Sequence, residues 1–534
     1  MQEIPRIDDA KLVWLSTPRH ACVKLTAALP ARAGAVESVV LASRQEATGL
    51  EYPLPFSVRS DAGSTLVDVT IDPRGFHLEG ALWDLFVVVS GPDGARAFCQ
   101  VRINRDFRRW AKLRGFQCDV GAGFIFFPYT AAASRLAFTY RKASVADTRF
   151  FRVKELAAIA LAKAGAPYWR KRNIWLVFEK YCSYAQDNGF AFFRYCMDEA
   201  PVGGPQVLYV IDRTAPDAEK LAPYAANTID FLSFKHLLYA LVARMYVGSD
   251  STAHLFQWRP RPSMVWSRIR KHRIFFLQHG VTALKQVENL FGTQGANPMT
   301  YFLTTSHREQ EIVTEHLGYD EAHAPVLGFS RWDLLRNTGD VQAPVILVMP
   351  TWRPWLEELS SEAFRESRYF QAFSSLCANP RLEALLERAN ATVKFFIHPK
   401  LSEQLGAFAG GSPRVQFIDA GSMPLNELIM ECAMLVTDYS SVCWDVLYLH
   451  KPVVFYQFDQ DDYLREVGSY LDFDRELPGP VALDESACVD AIASVAESGF
   501  HMDDTSQRKA APFQELDDTR NRERTYRFLT SHSL

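Results

Sequence analysis

The sequence predicts an α/β protein of two successive doubly wound, Rossmann-like lobes, preceded by a β-rich, sandwich-like domain. Three observations lead there. From Asn173 onward short apolar runs alternate with segments of helical period, the same alternation restarts after Ala343-Pro344, and residues 11–140 carry β-patterned runs broken by turn signals.

The β-rich part comes first. Residues 66–71 precede Asp72-Pro73-Arg74-Gly75, residues 83–89 precede Gly91-Pro92-Asp93-Gly94, and a further run covers 97–103. This domain is placed at 1–145; nothing in it has catalytic spacing, and packing or recognition of an acceptor polymer is its expected role. Residues 146–173 are read as a linker, with a helix from Phe151 that puts Leu156, Ile159, Ala160 and Ala164 on one side and cations such as Lys154 and Lys163 among its polar positions. Such a helix joins domains or lies on a bilayer.

The first lobe is placed at 174–342, with buried strands at 174–178, 206–211, 245–247, 274–277 and 301–303. The second is placed at 343–534, with strands at 345–349, 393–397, 415–418, 434–436 and 453–456. Helical segments such as 312–317, 381–388 and 425–432 separate them. The length, 534 residues with 48% hydrophobic and 22% charged, allows about three to four domains with substantial cores.

Composition excludes several classes. A net charge of -4 argues against a dedicated nucleic-acid binder, so no nucleic-acid partner is expected. Nine scattered cysteines without a C-x-x-C pair argue against a disulfide framework or a zinc ribbon and point to reduced cytosolic thiols. Met1 to Asp9 has no signal-peptide pattern, and no apolar run approaches the ~18 residues of a membrane span. Two clusters mix cations with interfacial aromatics: Arg105 to Arg114 around Trp110, and Arg259 to Arg273 around Trp258 and Trp266. They read either as contacts to an anionic membrane surface or as solvated basic faces.

Ligands of open parallel sheets sit beyond the carboxyl ends of the strands, so the loops there carry the chemistry. Those loops are Gln278-His279-Gly280-Val281-Thr282-Ala283-Leu284-Lys285, Pro350-Thr351-Trp352-Arg353, His398-Pro399-Lys400 and Thr437-Asp438-Tyr439-Ser440-Ser441. Ser440 and Ser441 fall where a helix begins, at backbone N–H groups without partners and the positive end of the helix dipole. They read as a phosphate seat, with an ordinary helix cap as the alternative. His279 stands beside a glycine that lets a ligand approach the backbone, and imidazole suits proton transfer near neutrality.

These motifs resemble those of the CDP-glycerol glycerophosphotransferases, the teichoic acid primases and polymerases. The resemblance rests on His279-Gly280 with Lys285, Pro350 to Arg353, His398-Pro399, Thr437 to Ser441 with Asp445, and Lys451-Pro452 through Asp459. It starts at Glu179 and Ala185-Gln186-Asp187-Asn188-Gly189 and covers about Asn173 to the C-terminus. Gln278 stands where that family commonly has Trp, and Val281-Thr282-Ala283 precedes Leu284-Lys285 where it has Thr-Pro, a departure that concerns the acceptor or polyol pocket. The β-rich region lies outside the resemblance.

The resemblance implies a GT-B fold and transfer of glycerol or ribitol phosphate from CDP-glycerol or CDP-ribitol to a lipid-linked or polyol-phosphate acceptor. CMP would be released, in teichoic acid or capsule synthesis at the cytoplasmic face of the membrane. His279 is then expected to deprotonate the attacking hydroxyl and His398 to meet the leaving pyrophosphate. Arg353 is expected as a planar fork for donor phosphate, with Thr351, Ser440, Ser441, Lys285 and Gly280 beside it. Asp438 and Asp445 are expected to orient loop and helix, and Glu179 or Asp187 to help place the acceptor. No cofactor is expected and no metal site is assigned, Asp459, Asp461 and Asp462 being read as a solvated turn. Two other readings stay open: a GT-B glycosyltransferase using a nucleotide sugar, and a non-catalytic polymer-binding protein.

Overall fold

The computed structural model describes residues 10–16, 23–29, 34–44, 51–61, 64–76, 78, 82–90, 96–103, 118–131, 134–256, 263–356, 361–396, 412–419 and 422–532. They fall into two units, Met1–Gly165 with Gln257–Arg270, and Ala166–Phe256 with Lys271–Leu534.

The first unit is β-rich. Period-two alternation turns Val23, Leu25, Ala27 and Leu29 inward along Val23–Leu29, which pairs antiparallel with Ser64–Ile71. Phe124–Thr130 and Leu136–Lys142 form a second long ladder. Among the described residues eleven strands join into one hydrogen-bonded sheet, whose distant parts share a core containing Leu25, Val67, Trp83, Phe126 and Phe138. Helix Arg149–Ala164 belongs to this unit. Thr148 caps it by accepting from Phe151 N at 3.2 Å. The helix read as continuous from 151 stops at Ala164, and a separate short helix spans Ala166–Trp169. Pro167, which cannot donate to a continuing helix, accounts for the break.

The second unit holds two six-stranded parallel sheets. The first runs Thr228–Asp230, Gln206–Ile211, Ile174–Phe178, Met245–Gly248, Ile274–Phe276, Tyr301–Phe302 from edge to edge. The second runs Val415–Ile418, Thr392–Phe396, Val345–Val348, Met434–Thr437, Val453–Tyr456, Val481–Ala482. In both, the strand order reverses direction beside the strand that comes first in the chain, the switch point at which such sheets open a crevice. Continuous apolar runs such as Ile174–Phe178 are buried along their whole length because helices cover both faces.

One apolar core spans the two sheets, from Trp175 and Phe275 to Leu435 and Phe455. The chain crosses between them through the 3-10 turn Ser330–Leu334, and helix Asn521–His532 returns from the second to the first. Buried Asp333 ties the two crossings, accepting from Asn521 N (3.0 Å), Asn521 Nδ2 (2.7 Å) and Arg522 N (2.9 Å). Tyr526 of the returning helix meets the Trp175 ring edge-on at 5.9 Å.

Candidate active site

His279 leaves the first sheet on a strained turn. Gln278 before it has φ +58°, a left-handed conformation that costs a non-glycine residue unless its surroundings enforce it. They do. The Gln278 side chain donates to Glu309 Oε1 (2.9 Å) and accepts from Thr282 Oγ1 (2.7 Å), while Asn188 Nδ2 donates to the Gln278 carbonyl (2.9 Å). Fully buried Glu309 also accepts from Thr282 N and Thr305 N, each at 2.6 Å. Its carboxyl is pushed up by burial, against those donors.

The ring of His279 therefore projects, exposed, from a fixed base. Its Nδ1 lies 3.3 Å from the Ser249 carbonyl. A carbonyl only accepts, so Nδ1 carries the hydrogen and Nε2 is left as the basic nitrogen. Asp250 follows Ser249 at the switch point of the first sheet; burial raises its carboxyl and the neighbouring His279 works against that rise. His254 Nε2 lies 3.7 Å from Asp250 Oδ1, and its ring stacks on Tyr181 at 4.7 Å. Burial, with Lys180 and His279 adding, lowers His254 to about 4, which keeps it neutral near pH 7.

The second sheet supplies the facing loops. Asp438 is fully buried and accepts from Thr351 N (2.8 Å) and from Tyr439 N (2.6 Å), joining the ends of the two switch-point strands. Arg353 is placed behind this joint instead of in the cleft. It is completely buried; Nε and Nη2 clasp Asp459 at 3.0 Å each, Nη1 donates to the Thr351 carbonyl (2.7 Å), and Nη2 lies 2.9 Å from Asp438 Oδ2. Burial works to lower its pKa, and Asp438 with Asp459 more than offsets that, so the guanidinium stays charged.

Two expectations are thereby corrected. Arg353 is a clamp that fixes the Thr351 and Asp438 loops, because its side chain is fully buried and its donors are taken by Asp459, Asp438 and the Thr351 carbonyl. Asp459 is no part of a solvated turn: it is buried, held by Arg353 and by the Tyr439 hydroxyl at 3.0 Å, whereas Asp462 faces outward and pairs with Arg465.

Ser440 and Ser441 border a cavity of about 310 Å³, together with His279, Gly280, Lys285 and Thr351. Ser440 Oγ accepts weakly from Val442 N (3.4 Å), and Ser441 makes no side-chain cap to the helix Val442–Tyr448. Thr351 Oγ1 is buried and takes no hydrogen bond among the described residues. The cavity thus gathers a lysine, hydroxyls and a histidine, groups able to bind an oxyanion and move a proton. His398 and Lys400 lie outside the described residues.

The remaining acids brace the joint between the sheets. Asp445 accepts from Arg331 Nε and Nη2 at 2.9 Å each and from Trp332 Nε1 at 2.7 Å. Arg331 Nη1 reaches Asp187 Oδ1 at 2.9 Å, so one buried guanidinium links both lobes' loops. Glu179 sits under the start of helix Asn188–Asp198 and accepts from Gln186 N, Asp187 N and Phe190 N at 2.7–3.0 Å. Burial raises its carboxyl to about 8, with Asp187 adding to the rise and the three backbone donors opposing it. A Cβ at Gly189 would stand 2.9 Å from Glu179 Cγ, so only glycine admits this approach.

Sequence reasoning missed Asp250, Arg331 and Glu309. Asp250 had a legible signal, since Ser249-Asp250 directly follows the buried strand Met245–Gly248 as the other site loops follow theirs. Arg331 had none, because its partners Asp445 and Asp187 lie 114 and 144 positions away, and for Glu309 only Thr305 is near in sequence, Thr282 and Gln278 lying 27 and 31 positions away.

Parallel sheets with polar loops converging at their switch points define a doubly wound α/β protein whose ligand site lies at the strand ends. The chain belongs to the CDP-glycerol:poly(glycerophosphate) glycerophosphotransferase family, whose model matches residues 168–531. It is 25% identical over 374 residues to the minor teichoic acid biosynthesis protein GgaB of Bacillus subtilis (strain 168), an alignment covering 67% of this chain and 40% of that protein. With the teichoic acid poly(glycerol phosphate) polymerase of the same organism it shares 25% identity over 315 residues, covering 54% of this chain and 39% of the polymerase. It thus spans about two fifths of each of these relatives. A structure of the wall teichoic acid polymerase TagF superposes with a TM-score of 0.51 at 15% identity, covering 73% of this chain and 98% of that one, which is a likeness of fold.

Proposed function

We propose that this chain is a GT-B-type transferase that moves glycerol or ribitol phosphate from a CDP-polyol to a hydroxyl of a lipid-linked or polyol-phosphate acceptor, releasing CMP, in teichoic acid or capsule synthesis. The observation that carries the reading is the convergence of His279, with Nε2 as its basic nitrogen, on the cavity bordered by Lys285, Thr351 and Ser441. His279 Nε2 takes the proton of the acceptor hydroxyl. The freed oxygen bonds to the β-phosphorus as the bond from that phosphorus to the bridging oxygen breaks, and the electron pair leaves with CMP. Lys285 and the hydroxyls of Thr351, Ser440 and Ser441 hold the donor's phosphate oxygens, Gly280 leaves room beside them, and the second sheet is the donor side. His398 stabilises the leaving group in this scheme on the strength of its motif.

The work is placed at the cytoplasmic face of the membrane. Supporting this, Phe150, Val153, Leu156 and Leu161 of helix Arg149–Ala164 are 45–71% exposed, and Arg149, Arg152, Lys154 and Lys163 accompany them. No helix of the described residues is long and apolar enough to cross a membrane.

Product analysis tests the reading. Incubation with CDP-glycerol, CDP-ribitol or UDP-sugars plus a polyol-phosphate acceptor should give CMP and a heavier acceptor only with a CDP-polyol. Absence of CMP with both CDP-polyols overturns the proposal, and release of UDP instead would establish the nucleotide-sugar alternative.

A further inference from the structure

His279 borders a second cavity, of about 170 Å³, besides the one that holds the donor in the reading above. The two differ in chemistry. The larger is lined by Lys285 and by the hydroxyl side chains of Thr351, Ser440 and Ser441 among others, a set for phosphate. The smaller is walled by Gln186, Asp187 and Asn426 over an apolar floor of Leu425, Ile429 and Val442. Its cation, Arg331, is already clasped between Asp187 and Asp445. A phosphate entering there would meet two carboxylates against one guanidinium, a net negative charge that repels it. A neutral polyol would meet hydrogen-bond acceptors for its hydroxyls and an apolar surface for its C–H face.

Asp187 is fitted for that task. Its Oδ1 is committed to Asn188 N (2.7 Å) and Arg331 Nη1 (2.9 Å), while Oδ2 accepts no hydrogen bond among the described residues. The frame is rigid: Asn426 Nδ2 donates to the Gln186 carbonyl at 3.1 Å across the two lobes, and Arg331 bridges them beside it. The volume equals roughly five to six waters at ~30 Å³ each, room for one polyol unit.

We infer that this second cavity is the subsite for the terminal polyol of the acceptor, Asp187 Oδ2 accepting from one hydroxyl while the neighbouring hydroxyl is presented to His279 Nε2. The inference rests on the transfer reading and gives it a direction: donor phosphate on one side of the imidazole, acceptor polyol on the other.

The test uses the full chain with CDP-glycerol and a short glycerol-phosphate oligomer. Leu425→Phe narrows the cavity from a partly exposed position, and Asp187→Asn keeps the shape and Oδ1 while removing the charge. Each is expected to raise the acceptor KM at least tenfold while the Kd for CDP-glycerol, measured by calorimetry, changes less than twofold. Free glycerol should compete with the oligomer in the wild-type chain and less well in both variants, whereas inorganic phosphate should compete with the donor. Wild-type turnover with an unchanged acceptor KM in both variants, or donor Kd rising in parallel with KM, overturns the subsite alone. A wild-type chain that binds no CDP-polyol and releases no CMP overturns the transfer reading, and the subsite with it.

Discussion

Gly280 and Ser441 meet face to face across the cleft: a Cβ at 280 would stand 2.8 Å from Ser441 Cβ and well inside the radius of its hydroxyl oxygen. One residue follows the first sheet and the other the second, so their contact sets how closely the lobes' loops approach at the larger cavity. Gly280→Ala should force the loops apart. Overpacking of this kind costs about 1–3 kcal/mol of stability, and whatever part of it falls on the transition state lowers turnover, at most about 5- to 150-fold over that range. Ser441→Gly in the same chain removes both colliding atoms and should recover part of the rate. Steady-state CMP release with thermal unfolding as the control reads this; a Gly280→Ala chain at wild-type rate would show that the loops have slack.

His279→Ala should lower kcat by at least about a hundredfold, the usual scale for an acid–base group, and leave the Kd for CDP-glycerol within a few-fold. His398→Ala carries the same expected loss from its motif. Near-normal turnover in the His279 variant removes the base from the mechanism, and a lost donor affinity would make the residue a binder.

His254 gives stability a pH dependence whose sign can be worked out. Its folded pKa, about 4, lies below the ordinary histidine value of 6.5, so the unfolded chain takes up a proton first as pH falls. The stability His254 contributes is therefore complete above pH ~6.5 and lost progressively toward pH ~4, on the order of 3 kcal/mol in all. Urea unfolding midpoints from pH 7.5 to 4 should fall more steeply for the wild type than for His254→Asn. Parallel slopes would assign the acid sensitivity to other groups.

Much of the second unit was legible because its strands are buried on both faces and so read as uninterrupted apolar runs. Ile174–Phe178 and Gln206–Ile211 lie where the sequence places them, whereas Thr228–Asp230 and Val481–Ala482 are too short to carry any pattern. The loops at strand ends were legible as places and less so as roles. His279 and Ser441 do reach one cavity. Arg353 was read as a phosphate fork because it follows a strand in a polar loop, and no local signal marks that its partners Asp438 and Asp459 stand 85 and 106 positions later. Two buried carboxylates claim its donors first, and their pairing is a fact of tertiary structure.

Helix Arg149–Ala164 should bind anionic bilayers. Phe150→Glu with Leu156→Glu removes apolar area and adds charge of the wrong sign, so co-sedimentation with phosphatidylglycerol vesicles should drop severalfold, and wild-type binding should weaken as salt rises. Equal binding of the variant, or equal binding to neutral vesicles, would assign this face to something other than a membrane.

Arg353→Lys separates the clamp from the fork. Lysine keeps the charge but cannot span Asp459 bidentately while also reaching the Thr351 carbonyl and Asp438, as the planar guanidinium does. The substitution should leave buried carboxylates short of donors, a loss of about 3–5 kcal/mol when one partner of a buried pair fails. The Thr351 and Asp438 loops would loosen with it, so donor affinity should fall together with the unfolding temperature. A chain with unchanged thermal stability that had lost only CDP-glycerol binding would return Arg353 to direct contact with phosphate. Concerted loss of both would fix it as the support on which the donor loops rest.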